Sequence, residues 1–359
     1  MSGEGSPSGP APLLHVDDLR IAIRGPERIV QILHGVSLDL ARGEVLCLLG
    51  ESGSGKSVTL RSVLRLLPER RTTIDGRIMF EGEDLLRLSP VALSDIRGNR
   101  IAMIFQEPAT AFDPVYSVGQ QIVETIRRHE RVSVAEAQAR ARDLFERVQI
   151  PSPDRRLAAY PHELSGGMRQ RAMIALALAC RPSLLLADEP TTALDATVQI
   201  QILLLLRRLQ RELGLAIIFV THDIGVAVEI ADRIAIMYAG RIVESGPVRD
   251  ILRHPGHPYT EGLLASTLRK GERGRRLVAI RGAPPDMALL PPGCSFAPRC
   301  PRAEPACVAA TPPMQRPVPE RIVLCRLPAT AGDVSLVSGD NEIASLRATR
   351  GVNPSDAKE

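Results

Sequence analysis

Apolar residues along this chain fall into three regimes. Short dense or alternating runs dominate up to about residue 105 and return between 184 and 244. From about 107 to 180 apolar residues recur at helical spacing, and from Pro284 onward Pro, Cys and Arg take over. The first regime predicts strands at 13–23, 29–33 and 36–40, with Gly25-Pro26 as a turn, and so an antiparallel β layer. Further strands are expected at 45–49, 76–82 and 101–105. The middle regime predicts helices at 118–128 and 133–149, the second opened by Ser133-Val134-Ala135-Glu136 and stopped by Pro151 and Pro153. A helix from about Ser165, a strand at 184–187, a helix at 197–213, a strand at 215–220, a helix at 221–230 and a strand at 233–238 then alternate. Ala239-Gly240 turns the chain into a hairpin strand at 241–244. Alternation of this kind predicts a mostly parallel sheet with helices on both faces, interrupted by a helical block. A short helix from His257-Pro258-Tyr259 to about 268 and a basic loop at 271–276 follow.

One junction in this pattern carries chemistry. Gly50-Glu51-Ser52-Gly53-Ser54-Gly55-Lys56-Ser57 stands between the apolar run Val45-Leu46-Cys47-Leu48-Leu49 and a helical stretch that begins with Val58. Strand, glycine loop and helix in this order make a phosphate-binding P-loop. Glycines let successive N–H groups turn inward, and the helix start adds its positive dipole end. Lys56 supplies a charge for the β- and γ-phosphates, and the Ser57 hydroxyl suits Mg²⁺. A second apolar strand ends in Asp188-Glu189. Asp188 is placed to hold Mg²⁺ and Glu189 to orient and deprotonate an attacking water.

Composition changes this picture little. The 359 residues suggest two or three domains; 44% are hydrophobic and 24% charged, as in ordinary globular chains. A net charge of +4 and 3% aromatics without Trp argue against a nucleic-acid surface. The longest apolar stretches, 172–180 and 202–206, fall short of the ~20 residues a spanning helix needs. The first residues, MSGEGSPSGPAP, lack a basic and an apolar signal region, so 1–12 is expected to be a disordered leader and the protein cytosolic.

Leu164-Ser165-Gly166-Gly167, followed by Arg169-Gln170-Arg171 and some twenty residues later by Asp188-Glu189, resembles the signature motif of ABC transporter ATPases. Other landmarks of that family fall in order. Gln106 is similar to its Q-loop glutamine, Ala193-Leu194-Asp195 to its D-loop, and His222 to its switch histidine. The resemblance covers about residues 13–250. It implies that ATP and Mg²⁺ are the ligands. Gly50, Glu51, Ser52, Gly53, Ser54, Gly55, Lys56, Ser57, Val58 and Gln106 would hold the nucleotide, and Ser57, Gln106 and Asp188 the Mg²⁺. Lys56, Glu189 and His222 would be catalytic, while Ser165, Gly166, Gly167 and Asp195 would serve ATP held by an opposing subunit. One departure is that 19–30 contains no aromatic residue to stack on adenine, leaving Ile23, Arg24 and Ile29 as the candidates for packing the base.

The C-terminal region narrows the branch. His257-Pro258-Tyr259-Thr260, the run from Gly293 through Cys294 to Cys300-Pro301, and then Cys307 and Cys325 resemble the oligopeptide and dipeptide importer ATPases. The four cysteines have spacing C-x5-C-x6-C-x17-C, and four thiolates suit a soft metal or a cluster. The resemblance favours [4Fe–4S]; tetrahedral Zn²⁺ is the alternative, and free thiols are the third reading. Cys47 and Cys180 fall in apolar runs and read as core.

The resulting expectation is an α/β protein. Its P-loop ABC ATPase core at 13–250 carries an antiparallel β subdomain and an inserted helical subdomain at about 107–180. A Cys-containing C-terminal region at 251–328 and a disordered tail at 329–359 complete it. The implied function is to hydrolyse ATP for a binding-protein-dependent peptide importer. The implied partners are a second cassette (a copy or a paralogue), two transmembrane permeases and, through them, an extracytoplasmic binding protein. The chain would sit on the cytoplasmic face of the inner membrane. Import of nickel chelates or other small solutes is the nearest alternative. A soluble ABC ATPase acting on ribosomes or DNA, or a module that binds without turnover, are the rivals from other classes.

Overall fold

The computed structural model describes residues 11–107, 111–192, 194–266 and 279–328. The expected leader (all but its last two residues), the tail 329–359, the basic loop at 271–276 and Ala193 lie outside the described residues.

Two sheets share the core. The smaller is antiparallel, of strands β1 (Leu14–Arg24), β2 (Ile29–Leu40), β4 (Thr72–Phe80) and β5 (Glu83–Asp84), in the order β2-β1-β4-β5. The expected strands at 29–33 and 36–40 are one strand. Leu19 pairs with Val36 and Arg20 with His34, so Gly35 is an extra residue bulged out of the ladder, at φ 90°. A local break in alternation thus marks a bulge here and not a turn.

The larger sheet contains β3 (Val45–Leu49), β6 (Ile101–Ile104), β7 (Leu184–Asp188), β8 (Ala216–Thr221), β9 (Arg233–Tyr238), β10 (Arg241–Pro247), β11 (Met314–Gln315) and β12 (Ile322–Leu324). Its order is β11-β12-β10-β9-β3-β8-β7-β6. The five strands from β9 to β6 are parallel, and β10, β12 and β11 continue antiparallel. Every residue of β3, β7 and β8 is buried, as continuous Val, Ile and Leu runs require of strands covered on both faces. Each Leu or Ile so buried contributes about 1.5–3 kcal/mol of transfer free energy. The C-terminal strands β11 and β12 extend this sheet, a pairing that the Pro- and Cys-rich pattern did not predict.

Helix α1 (Lys56–Val63) follows β3, and α2 (Pro90–Ile96) follows β5. The helical block comprises α3 (Val118–His129), α4 (Val134–Arg147), α5 (Pro153–Leu157) and α6 (Gly166–Ala177). Ser117 opens α3 with a reciprocal capping box to Gln120. Ser133 Oγ accepts from Glu136 N at 3.1 Å to open α4, the accepting half of the box expected there. Ala137, Ala141 and Phe145 bury one face of α4 against the main core. Helices α7 (Ala196–Leu213), α8 (Ile224–Ile230), α9 (Val248–Arg253), α10 (Pro258–Ala265) and α11 (Pro305–Ala309) complete the described chain.

Candidate functional site

The parallel strands β3, β6, β7 and β8 all end at the same side of the sheet, where α/β folds gather their ligand-binding groups. After β3 the chain enters residues 50–57. Gly50 lies so close to β9 that an added Cβ would sit 2.3 Å from the Met237 carbonyl oxygen, and Gly55 has φ 102°. Both demands exclude other residues. Gly240 N donates to the Ser54 carbonyl at 2.9 Å, fastening the loop to the β9–β10 turn.

Lys56 is 4% exposed. Its Nζ donates to the Gly50 carbonyl at 2.8 Å and the Glu51 carbonyl at 2.9 Å, so the ammonium is held inside the curve of the loop. Burial pushes its pKa below the ordinary value, against the pull of Glu189 and Asp188. Ser57 Oγ donates to Asp188 Oδ1 at 2.7 Å, joining the start of α1 to the end of β7. Asp188 is fully buried and its Oδ2 has no hydrogen-bond partner; the Arg61 guanidinium stands 3.7 Å away. Burial raises the Asp188 pKa, while the Ser57 hydrogen bond and Arg61 lower it. A hydroxyl beside a buried carboxylate with one oxygen free of hydrogen bonds is the donor chemistry of a hard divalent cation.

Glu189 follows at φ 47°, a left-handed conformation that costs a non-glycine residue energy. Its Oε2 is a meeting point. Thr192 Oγ1 donates to it at 2.9 Å, Gln106 Nε2 donates at 3.3 Å, and His222 Nδ1 lies 3.5 Å away. Gln106, two residues beyond β6, therefore faces Glu189 here. His222 is exposed just beyond β8. Lys56, Ser57, Asp188, Glu189, Gln106 and His222 thus form one constellation; Glu51, Ser52, Gly53, Ser54 and Gly55 line its loop, and Val58 is half-buried on α1.

The second predicted group stands apart. Ser165 caps α6, its Oγ accepting from Met168 N at 3.3 Å, and Ser165 and Gly166 are exposed. Asp195 caps α7, with Oδ1 accepting from Thr197 N at 3.1 Å and Val198 N at 2.9 Å. The two helix starts are neighbours, since a Cβ on Gly167 would come 3.1 Å from Val198. No hydrogen bond among the described residues joins Ser165, Gly166 or Gly167 to the constellation around Lys56.

Cys294, Cys300, Cys307 and Cys325 are half-buried and line one small cavity with His257 and Arg302. Burial raises the pKa of Cys294, Cys300 and Cys325. Among the described residues, no three or more His, Cys, Asp or Glu side chains gather at metal-holding positions. The four thiols therefore match a soft metal in kind and in facing one space, but not in closeness. Cys47 and Cys180 are buried, as a core role requires.

Thr192, Arg61, Arg299 and Tyr259 also touch the constellation or its loop and were missed from sequence. Thr192 sits three residues beyond Glu189 and Arg61 one helical turn beyond Ser57, so local spacing carried a signal for both. Arg299 and Tyr259 lie more than 200 residues from Glu51 and carried none. A roomy cleft of about 1120 Å³ lies elsewhere, along α3, α4 and α5.

Comparison with known proteins places this geometry. A family model described as ABC transporter matches residues 33–192, and one described as oligopeptide/dipeptide transporter, C-terminal region, matches 243–307. The dipeptide transport ATP-binding protein DppD of Bacillus subtilis is 45% identical, over 91% of this chain and 98% of its own. The oligopeptide transport ATP-binding protein OppD of the same organism is 50% identical, over 79% of this chain and 80% of its own. Among solved structures, the dimeric post-hydrolysis state of the ATP-binding cassette MJ0796 bound to ADP and Pi superposes with a TM-score of 0.59 at 29% identity. It covers 66% of this chain and 99% of that one. No helix among the described residues is long and apolar enough to cross a membrane. With its phosphate loop, acidic strand end and cysteine-bearing C-terminal region accounted for together, the chain belongs to the ABC transporter family of ATPases, in the branch with the oligopeptide/dipeptide transporter C-terminal region.

Proposed function

We propose that the chain hydrolyses ATP to drive a peptide importer, as the functions named for its relatives suggest. The observation that carries the reading is the join of Ser57 to Asp188 at 2.7 Å beside a Glu189 contacted by Thr192, Gln106 and His222. Lys56 and the loop N–H groups bind the β- and γ-phosphates. Ser57 and Asp188 would hold the Mg²⁺ that accompanies ATP, and the ion would neutralise charge on the phosphates. Glu189 takes the proton of the attacking water, while His222 and Gln106 orient its carboxylate. Hydrogen bonds from Thr192 Oγ1 and Gln106 Nε2, with His222 Nδ1 at 3.5 Å, hold the carboxylate in place before nucleotide arrives.

Ser165, Gly166, Gly167 and Asp195 serve ATP bound to a second cassette, a copy or a paralogue. The exposure of Ser165, Gly166 and Asp195 supports this, and so does the dimeric state of the MJ0796 cassette. The open cleft along α3–α5 is the docking face for loops of two transmembrane permeases, which would keep the chain on the cytoplasmic face of the inner membrane and couple it to an extracytoplasmic binding protein. The nucleotide-binding unit spans 13–250 with its helical part at about 107–180, and 251–328 forms the C-terminal region.

Cys294, Cys300, Cys307 and Cys325 would hold a [4Fe–4S] cluster, with Zn²⁺ as the alternative; their thiol chemistry and shared cavity support either, and the thiols would have to draw together to bind it. When bound, the group cross-links the C-terminal segment. Anaerobically purified protein is expected to contain iron and a broad visible absorption that Cys300→Ser removes, whereas a colourless sample with stoichiometric zinc selects the alternative. The functional reading is tested with the membrane complex in vesicles. ATP-dependent uptake of a labelled dipeptide, abolished by Glu189→Gln, is expected, and purification with ribosomes and no membrane subunits would overturn it.

A further inference from the structure

The phosphate loop is held from outside its own strand and helix. Arg299 Nη1 donates to Glu51 Oε2 at 2.7 Å and Nη2 donates to Oε1 at 3.1 Å, a two-pronged pair. The Glu51 backbone N–H donates to the Tyr259 hydroxyl at 2.9 Å, and the Glu51 carbonyl accepts from Lys56 Nζ at 2.9 Å. One residue of the loop is therefore fixed at its side chain, its N–H and its carbonyl.

The outer anchors are buried and packed. The Arg299 side chain is 6% exposed, and its guanidinium lies 5.8 Å from the Tyr238 ring centre and 6.0 Å from that of Phe296. Arg299 Nε donates to the Arg281 carbonyl at 3.0 Å and Nη1 to the Tyr238 hydroxyl at 3.3 Å. Tyr259 is fully buried and packs on Tyr238 and Phe296 at ring separations of 4.6 and 5.4 Å. An unpaired carboxylate in a phosphate loop repels a polyphosphate, and a partly buried one is costly; Arg299 removes both penalties.

We infer that Arg299 and Tyr259 are positioning residues of the nucleotide site, fixing Glu51, and through its carbonyl Lys56, in the geometry that accepts a nucleoside triphosphate. This rests on the ATPase reading above. It makes the C-terminal region part of the nucleotide site, with the strut ending one residue before Cys300.

The test uses the full chain, with MgATP affinity measured by calorimetry and hydrolysis resolved into KM and kcat. Arg299→Ala is expected to raise Kd and KM for MgATP about tenfold, with kcat within about twofold of the parent. Arg299→Lys keeps the charge, loses the fork and is expected to fall between. A purely structural role would lower kcat or the active fraction and leave KM alone. In a Glu51→Gln background, Arg299→Ala is expected to add less than about twofold, because both act on one contact. Should Arg299→Ala fail to fold, Arg299→Lys and Tyr259→Phe carry the same test, each with a raised KM. If the parent binds MgATP and these variants match its Kd and KM, the inference falls and the ATPase reading stands. If the parent binds no MgATP, both fall.

Discussion

At the start of α1, Lys56 is buried and its ammonium is bonded to two loop carbonyls, while Ser57 reaches across to Asp188. At the start of α6, Ser165 and Gly166 are exposed, and a Cβ added to Gly166 would meet nothing within 4 Å. Both are small-residue helix starts of the kind that binds anions. They differ in how much of a binding site the chain itself supplies. The first has a cation, a hydroxyl and carboxylates around it, all from this chain. Among the described residues, the second has its own N–H groups, its cap and Arg169, whose Nε donates to the Leu164 carbonyl at 3.1 Å, and no hydrogen bond to the first. A helix start that is so well capped yet so open is suited to a ligand presented by another molecule.

The contrast can be overturned from either side. The largest effect is expected for Glu189→Gln, which should lower turnover by about 10²–10⁴-fold while leaving nucleotide affinity intact. Equal rates in parent and variant would remove Glu189 as the base. Lys56→Ala should weaken MgATP binding by about a hundredfold or more, since it deletes a buried charge from the cradle; calorimetric titration reads this directly, and an unchanged Kd would strip the first helix start of its distinction. Gly166→Asp probes the second start. An acid in the first turn suits the helix and has open space, so folding should survive. ATP binding by the isolated chain should be unaltered, but hydrolysis by the assembled transporter should fall at least about tenfold through repulsion of the phosphates. Parent-like hydrolysis would show that the second start touches no nucleotide. The smallest effect belongs to Ser165→Ala, which removes the α6 cap. It should cost about 1 kcal/mol and lower Tm by roughly 2–4 °C, as a thermal melt of the isolated chain would record.

Much of this was legible in the sequence because burial on both faces leaves a plain mark. The runs at β3, β7 and β8 are apolar up to their last residues, and the candidate site residues Gly50, Asp188-Glu189 and His222 stand at or just past their ends. Caps at Ser133 and Ser165 were readable because the physics of a helix start is local. Legibility failed where partners are remote. The bulge at Gly35 depends on β1, and β12 pairs with β10 at Glu244 and Ser245. Glu244 is itself fully buried, accepting from Gly256 N, His257 N, Thr260 Oγ1 and Arg321, so four separate positions are needed to make one carboxylate tolerable. No window of sequence holds all of them. The same holds for Glu51, whose local setting names it a loop residue and gives no hint of Arg299.

That remote contact bears on synthesis. Glu51 and Arg299 are 248 residues apart. At ribosomal speeds of 5–20 residues per second, the clamp arrives about 12–50 s after the loop has been made. Strand β3 likewise waits for β8 and β9 before it has any neighbour in its sheet. A nascent chain therefore displays the whole glycine-rich motif long before it can hold it in shape. Nucleotide would find its seat only near the end of translation, when the ordering of the first hundred residues is sealed by the last.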